Sequence, residues 1–305
     1  MTSLTTLLTP TLLTTLTTTL LPFPQTTPLD FPTLSPTILN GPRHFPPGLK
    51  PQTWKVLITL SKLPPASIPT LLLTLLPSPQ SPDFPTLALG MQLLLDQMPR
   101  RLFKGIDKRW CAGFFDGVAV GFAELLDALD GEVKPWAWER WKGRVTLGYY
   151  VVVRIWFGTP WVHCDTLAAQ QRAGVYFGEV RGTVEAETGM GDAWMEKGKR
   201  GELMGDVYAL RRLLDEGPPR GEGMEGFVYW VCAVMDAHRP VVERFGRYPS
   251  KNVYLGVEDT EEEREWLERV GRAGMVDGEV RERLRRDVEQ GVWSELGVDS
   301  EVDAD

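Results

Sequence analysis

The chain is poor in the residues that build disulfide scaffolds and metal clusters: 305 residues contain only three cysteines and three histidines. Cys111, Cys164 and Cys232 are an odd number without CxxC spacing, which excludes a disulfide framework or a zinc cluster and fits a reducing compartment. Two histidines with one aspartate are a weak ligand set, so no metal is expected, and no nucleotide fingerprint or other cofactor signature survives inspection. Gly189-Met190-Gly191 lacks a third glycine at the required offset, and Gly198-Lys199 is followed by Arg200 instead of Ser or Thr. Positive charge is scarce too. With 33 Lys and Arg against 41 Asp and Glu, the net charge of -8 argues against a nucleic-acid partner and leaves small molecules and proteins.

Long uninterrupted apolar runs are also missing at the start of the chain. The segment beginning Met1-Thr2-Ser3-Leu4 lacks a basic n-region, is too rich in threonine for a membrane span, and is too poor in arginine for a mitochondrial leader. The expected location is therefore the cytoplasm, with no membrane contact. At 305 residues the chain is long enough for one large or two modest domains with a buried core.

Composition shifts sharply near residue 90. Residues 1–90 hold 17 of the 24 prolines, no glutamate and only six charged side chains, whereas the rest carries 29 basic and 39 acidic ones. So much Thr, Leu and Pro predicts short helices, such as Val56–Lys62 and Ile68–Leu76, joined by Pro-bounded turns and packed on the remainder as a cap. Disorder is disfavoured because the segment is apolar and weakly charged.

Beyond residue 86 the pattern turns helical. Thr86 can cap a helix through Leu87–Met98 that Pro99 interrupts or ends, and Trp110–Leu129 carries apolar residues at helical spacing. Gly113, Gly117 and Gly121 recur every four residues and predict a closely packed neighbouring helix. Residues 146–157 are β-branched and aromatic, equally compatible with a strand or a buried helix. Asp165 or Thr166 can cap a helix to about Thr183, and 186–205 reads as a loop. Phe227–Phe245 is a helix kinked at Pro240, with His238 among its core-facing residues. Thr260 with Glu263 forms a capping box, Glu279–Gln290 is the last amphipathic helix, and Asp299–Asp305 is expected to fray.

Three segments carry the polar chemistry. They are Leu93-Leu94-Leu95-Asp96-Gln97-Met98-Pro99-Arg100-Arg101-Leu102-Phe103-Lys104-Gly105, then Pro160-Trp161-Val162-His163-Cys164-Asp165 with Gln170, then His238 followed by Arg244-Phe245-Gly246-Arg247-Tyr248-Pro249-Ser250-Lys251-Asn252 and Leu255-Gly256. In order and rough spacing they resemble the domain-of-unknown-function family 924, whose pattern reads Leu-Asp-Gln-Phe-Pro-Arg-Asn, His-Ser-Glu, and His followed by Arg-Phe-Gly-Arg-Phe-Pro and Arg-Asn. Arg101, Lys104, Cys164, Asp165 and Lys251 depart from that pattern, mostly with charge kept. The resemblance implies an all-α fold of stacked antiparallel helices in a tetratricopeptide-like superhelix, tips 146–157 toward helix, and implies no assigned activity. Composition and resemblance together give the expected organisation: a Pro/Thr/Leu-rich cap at 1–90, a helical domain resembling the family at 91–290 and an acidic tail at 291–305.

Every one of these residues also has a structural reading. His163 and His238 can serve as satisfied hydrogen-bonding groups or as general acid and base; Cys164 as an inert thiol or a nucleophile; Asp96 and Arg100 as a helix ion pair at i and i+4. Their concentration favours a site, because burying Asp, Arg, His and Asn costs several kcal/mol unless they satisfy one another or a ligand. The expectation is one pocket in which His163, Asp165 and His238 move protons while Asp96, Arg100, Gln170, Arg244, Arg247 and Asn252 bind a small anionic or carbonyl-bearing molecule. The competing reading is a protein-interaction module without catalysis, which would expose a groove tolerant of change at the two histidines.

Overall fold

The computed structural model describes residues 4–42, 44–272 and 276–300, apart from the Lys197 side chain, and every regular element among them is helical. In chain order the longer helices are α1 (Pro10–Leu20), α2 (Phe31–Asn40), α3 (Leu49–Leu60), α4 (Ile68–Thr74), α5 (Phe84–Leu102), α6 (Asp116–Asp127) and α7 (Leu147–His163). Next come α8 (Leu167–Thr188), α9 (Lys197–Gly205), α10 (Ala209–Glu216), α11 (Met224–Asp236), α12 (Arg239–Phe245), α13 (Glu261–Arg269) and α14 (Gly278–Glu289). No strand occurs among the described residues, only an isolated bridge between Lys142 and Val145. No single described helix is long and apolar enough to cross a membrane.

The chain divides into two compact units, one made of Met1–Thr17, His44–Leu129 and Tyr248–Asp305, the other of Thr18–Arg43 and Asp130–Arg247. The Pro-rich first 90 residues contribute to both. The short helices joined by Pro-bounded turns are present there as α1 to α4, with Pro36 inside α2.

The first unit is built around α5, in which every residue from Leu87 to Pro99 is buried. It packs on α3 and α6. Its backbone approaches α1 so closely at Gly90 that a Cβ there would sit 2.3 Å from the Leu13 carbonyl oxygen. Thr17 closes the same contact by donating its hydroxyl to the Thr86 carbonyl at 3.1 Å. The helix therefore starts at Phe84 after Asp83, two residues before the Thr86 cap that local sequence suggests, and it runs through Pro99 to Leu102.

The second unit is built on α7, α8 and α11. In α7 every residue from Gly148 to Val162 is buried, which explains why 146–157 has no readable period: a helix covered on all sides shows no polar face. Its 17 residues also exceed the usual strand length. Thr146 caps it by accepting from the Tyr149 amide. Gly158 makes room for two rings, since a Cβ there would stand 2.6 Å from Phe177 and 2.8 Å from Tyr176. Thr166, not Asp165, caps α8, which extends beyond Thr183 to Thr188.

Several expectations need correction. Trp110–Leu129 is not one α-helix: a π turn at Cys111–Phe115 precedes α6. Of its three spaced glycines Gly121 faces Pro69 of α4 at 3.0 Å, Gly113 lies against Trp293 and against Leu255 at the end of the short helix Asn252–Leu255, and Gly117 meets nothing within 4 Å among the described residues. The 186–205 stretch is not all loop, because a 3-10 turn at Ala193–Met195 leads into α9. Phe227–Phe245 breaks into α11 and α12 instead of bending. The end of the chain does not fray at Asp299 and Ser300, whose backbone amides both donate to the buried Asp107 carboxylate; 301–305 lie outside the described residues. The Thr260–Glu263 capping box is present with both of its hydrogen bonds.

Candidate functional site

Within the first unit, two of the three sequence segments meet at a residue that belongs to neither. Asp96 and Arg100 lie one turn apart on α5, at 3.3 Å, and the Arg100 guanidinium continues to Asp116 Oδ1 at 2.6 Å. Lys251 reaches the other oxygen of the same carboxylate at 2.8 Å. Asp96 and Asp116 are buried, whereas the Arg100 and Lys251 side chains keep 27% and 15% of their exposure. The group thus sets two anions against two cations at the edge of the apolar core, and mutual pairing offsets the desolvation that would otherwise expel it.

The π turn makes this meeting possible. Five residues along an ideal α-helix differ in direction by roughly 140°, which would aim Cys111 and Asp116 at different neighbours. Here the Asp116 amide donates to the Cys111 carbonyl across the widened turn, and the Cys111 thiol lies 3.9 Å from Asp116 Oδ1 and 3.2 Å from Arg100 Nη1. Burial pushes the Cys111 thiol up to about 12, with Arg100 opposing the rise and Asp116 adding to it. A thiol held protonated in this way is a weak donor and no nucleophile. Burial alone would lower the Arg100 pKa, but Asp116, Cys111 and Asp96 raise it overall, so the guanidinium stays charged. Asn252, 1% exposed, donates to Asp259 Oδ1 at 2.8 Å, while its own buried Oδ1 has no partner among the described residues.

The remaining candidates belong to the second unit. His163 is the last residue of α7, and Asp165 sits half-buried on the turn into α8. Gln170 is buried, and its amide nitrogen donates to the carbonyls of Trp161, Val162 and Cys164 at 3.2, 2.9 and 2.8 Å. It serves to close the open carbonyl end of α7, which leaves that nitrogen committed to the fold. Arg244 is exposed in the last turn of α12; Gly246, at φ 72, ends that helix, and Arg247 is half-buried just beyond it.

His238 does not lie on a core stripe but at the junction of α11 and α12. Pro240 brings no amide proton, so the ladder of α11 cannot continue through it, and the His238 amide turns to the Met235 carbonyl at 3.3 Å. The Val234 carbonyl, left without that amide, accepts from His238 Nδ1 at 2.8 Å. A carbonyl accepts only from N–H, so Nδ1 carries the proton and Nε2 is the nitrogen that gains or loses one. Helix α12 packs against α8.

Sequence reasoning singled out Asp96, Arg100 and Asn252 but passed over Asp116 and Cys111. The available signal was an aspartate inside an otherwise apolar run, five residues after a cysteine. Among the described residues no group of three His, Cys, Asp or Glu side chains is placed to hold a metal ion.

A family model described as "Bacterial protein of unknown function (DUF924)" matches residues 78–271. That span holds all three polar segments together with Cys111 and Asp116. No curated protein and no solved structure matches the chain.

Proposed function

The chain belongs to the family of bacterial proteins of unknown function DUF924, and we propose that it is an enzyme moving a proton on a small anionic or carbonyl-bearing molecule, with His238 as the proton-transfer group. The observation that carries this reading is the contact of His238 Nδ1 with the Val234 carbonyl. Its Nδ1–H is fixed on the Val234 carbonyl at 2.8 Å at a helix break, while the ring stays half-buried. Holding one ring nitrogen on a backbone acceptor while the other exchanges protons is how a histidine is oriented for general acid–base work. His163 and Asp165 supply further proton-active groups in the same unit, and Arg244 and Arg247 supply charge for an anion.

A screen of the purified protein against metabolites, read by thermal shift and mass spectrometry, tests this directly, because a ligand of the folded state raises stability by mass action. The expected result is one binder whose conversion stops in His238→Gln while the unfolding midpoint hardly moves. A loss of several kcal/mol of stability in that variant, with turnover unchanged, would place His238 among purely structural groups.

A second reading, a helical protein-interaction module of tetratricopeptide-like arrangement, is favoured by the outer face of α8. Leu167 and Val175, eight residues apart, are 44% and 60% exposed there. Co-purification of a protein partner lost on Val175→Glu, with no metabolite bound, would select it.

A further inference from the structure

Next to the Asp116 cluster, and in the other unit from His238, a groove of about 270 Å³ lies between residues 249–255, α13 and α14. Three guanidinium groups line it, those of Arg264, Arg272 and Arg281, with the phenol of Tyr254 beside them. On α14, Arg283 pairs with Asp299 and Arg285 with Glu282 and Glu289. Among the described residues Arg272 and Arg281 make no such ion pair, although the chain carries eight more acidic than basic side chains. Arg264 is anchored from one nitrogen to the Asp259 carbonyl at 2.7 Å, and the Asp259 carboxylate is held by Asn252. Burial and Cys111 raise the Tyr254 pKa against the pull of Arg272, so the phenol remains an O–H donor facing an anion.

We propose that this groove binds the phosphate group of a small soluble phosphate ester, with Arg272 and Arg281 as its principal holders, Arg264 and Tyr254 as further donors, and the ester's organic part against Val253 and Leu267. Guanidinium groups pair with phosphate oxygens through two hydrogen bonds at once, and several of them around one cavity exceed what a single carboxylate can accept. Asp259 and Glu268 also line the groove and oppose a bare anion, whereas Val253 and Leu267 give an ester's apolar organic part a surface to pack on. The site is independent of the His238 reading, since all of its residues belong to the other unit.

The test is calorimetric titration of the full chain with inorganic phosphate and with phenyl phosphate at fixed ionic strength, with chloride as the comparator. Saturable binding is expected for both, tighter for phenyl phosphate, and weakened by about tenfold or more in the double variant Arg272→Gln, Arg281→Gln. Circular dichroism and the thermal midpoint of that variant, expected unchanged because both arginines are exposed, separate lost binding from lost folding. Should the double variant unfold, the single substitutions carry the same comparison. Absence of saturation in the wild type, equal displacement by chloride, or full binding by the variants overturns the proposal. So does tighter binding of inorganic phosphate than of the ester, or co-sedimentation with vesicles rich in phosphatidylglycerol, which would make the ligand a bare ion or a lipid surface.

Discussion

Arg100 and Asp116 meet at 2.6 Å because a π turn at Cys111–Phe115 directs the Asp116 carboxylate toward α5. An inserted turn of this kind sacrifices regular helix geometry, and it is kept where a side chain must point somewhere an α-helix would not send it. The same carboxylate receives Lys251, so one residue ties α5 to the turn after Pro249.

Asp116→Asn keeps the shape of that residue while removing the charge between two cations. It is expected to lower the unfolding free energy by about 3 kcal/mol, the scale for breaking a largely buried ion pair. Urea titration checks this, and a change below about 1 kcal/mol would show the group to behave as exposed surface charge.

Alkaline pH should weaken the fold through its buried thiols. Burial pushes Cys111 and Cys232 from an ordinary 9.0 up to about 12, with Arg100 and Arg181 respectively opposing the rise. Above pH 9 the unfolded chain releases these protons while the folded one keeps them, so stability present below 9 declines as pH rises toward 12. Each thiol adds a slope of about 1.4 kcal/mol per pH unit. Urea midpoints from pH 9 to 11 should fall less steeply in Cys111→Ala and Cys232→Ala than in the wild type, whatever the absolute stability of those variants.

Two glycines in helices should respond to alanine with opposite signs. Gly90→Ala forces a methyl against the Leu13 carbonyl and is expected to cost about 1–3 kcal/mol or more. Gly117→Ala, in α6 with nothing within 4 Å, should stabilise by about 0.5–1 kcal/mol through helix propensity. Thermal unfolding of the two variants side by side decides it.

The Asp107 carboxylate gathers the backbone amides of Gly297, Val298, Asp299 and Ser300 at 3.1, 3.3, 3.0 and 2.7 Å. Four N–H groups converging on one anion form an anion-binding concavity filled from within the chain. Asp107→Asn turns an amino group toward those donors and should cost about 1–3 kcal/mol. Hydrogen exchange ought to accelerate at 297–300 before it does in α5; unchanged protection there would contradict the clasp.

The sequence by itself determined whatever depends on neighbours a few residues away. It determined the Pro-bounded helices before residue 90, the capping box at Thr260 and Glu263, and the ion pair of Asp96 with Arg100 one turn later, while the all-helical class was implied only by the family resemblance. Caps, breakers and i, i+4 pairs act within a single turn, so local spacing suffices to read them. Tertiary structure decided the rest: that Asp116, already paired with Arg100, meets Lys251 135 residues away, that Gly90 admits Leu13, that Asp107 seats residues 297–300, and that the break at Pro240 frees a carbonyl for His238. These rest on which buried donor finds which distant acceptor. Hydrophobic periodicity records which face of a helix is buried, but a polar side chain within that face carries no mark of its partner, which only the packing of the helices supplies.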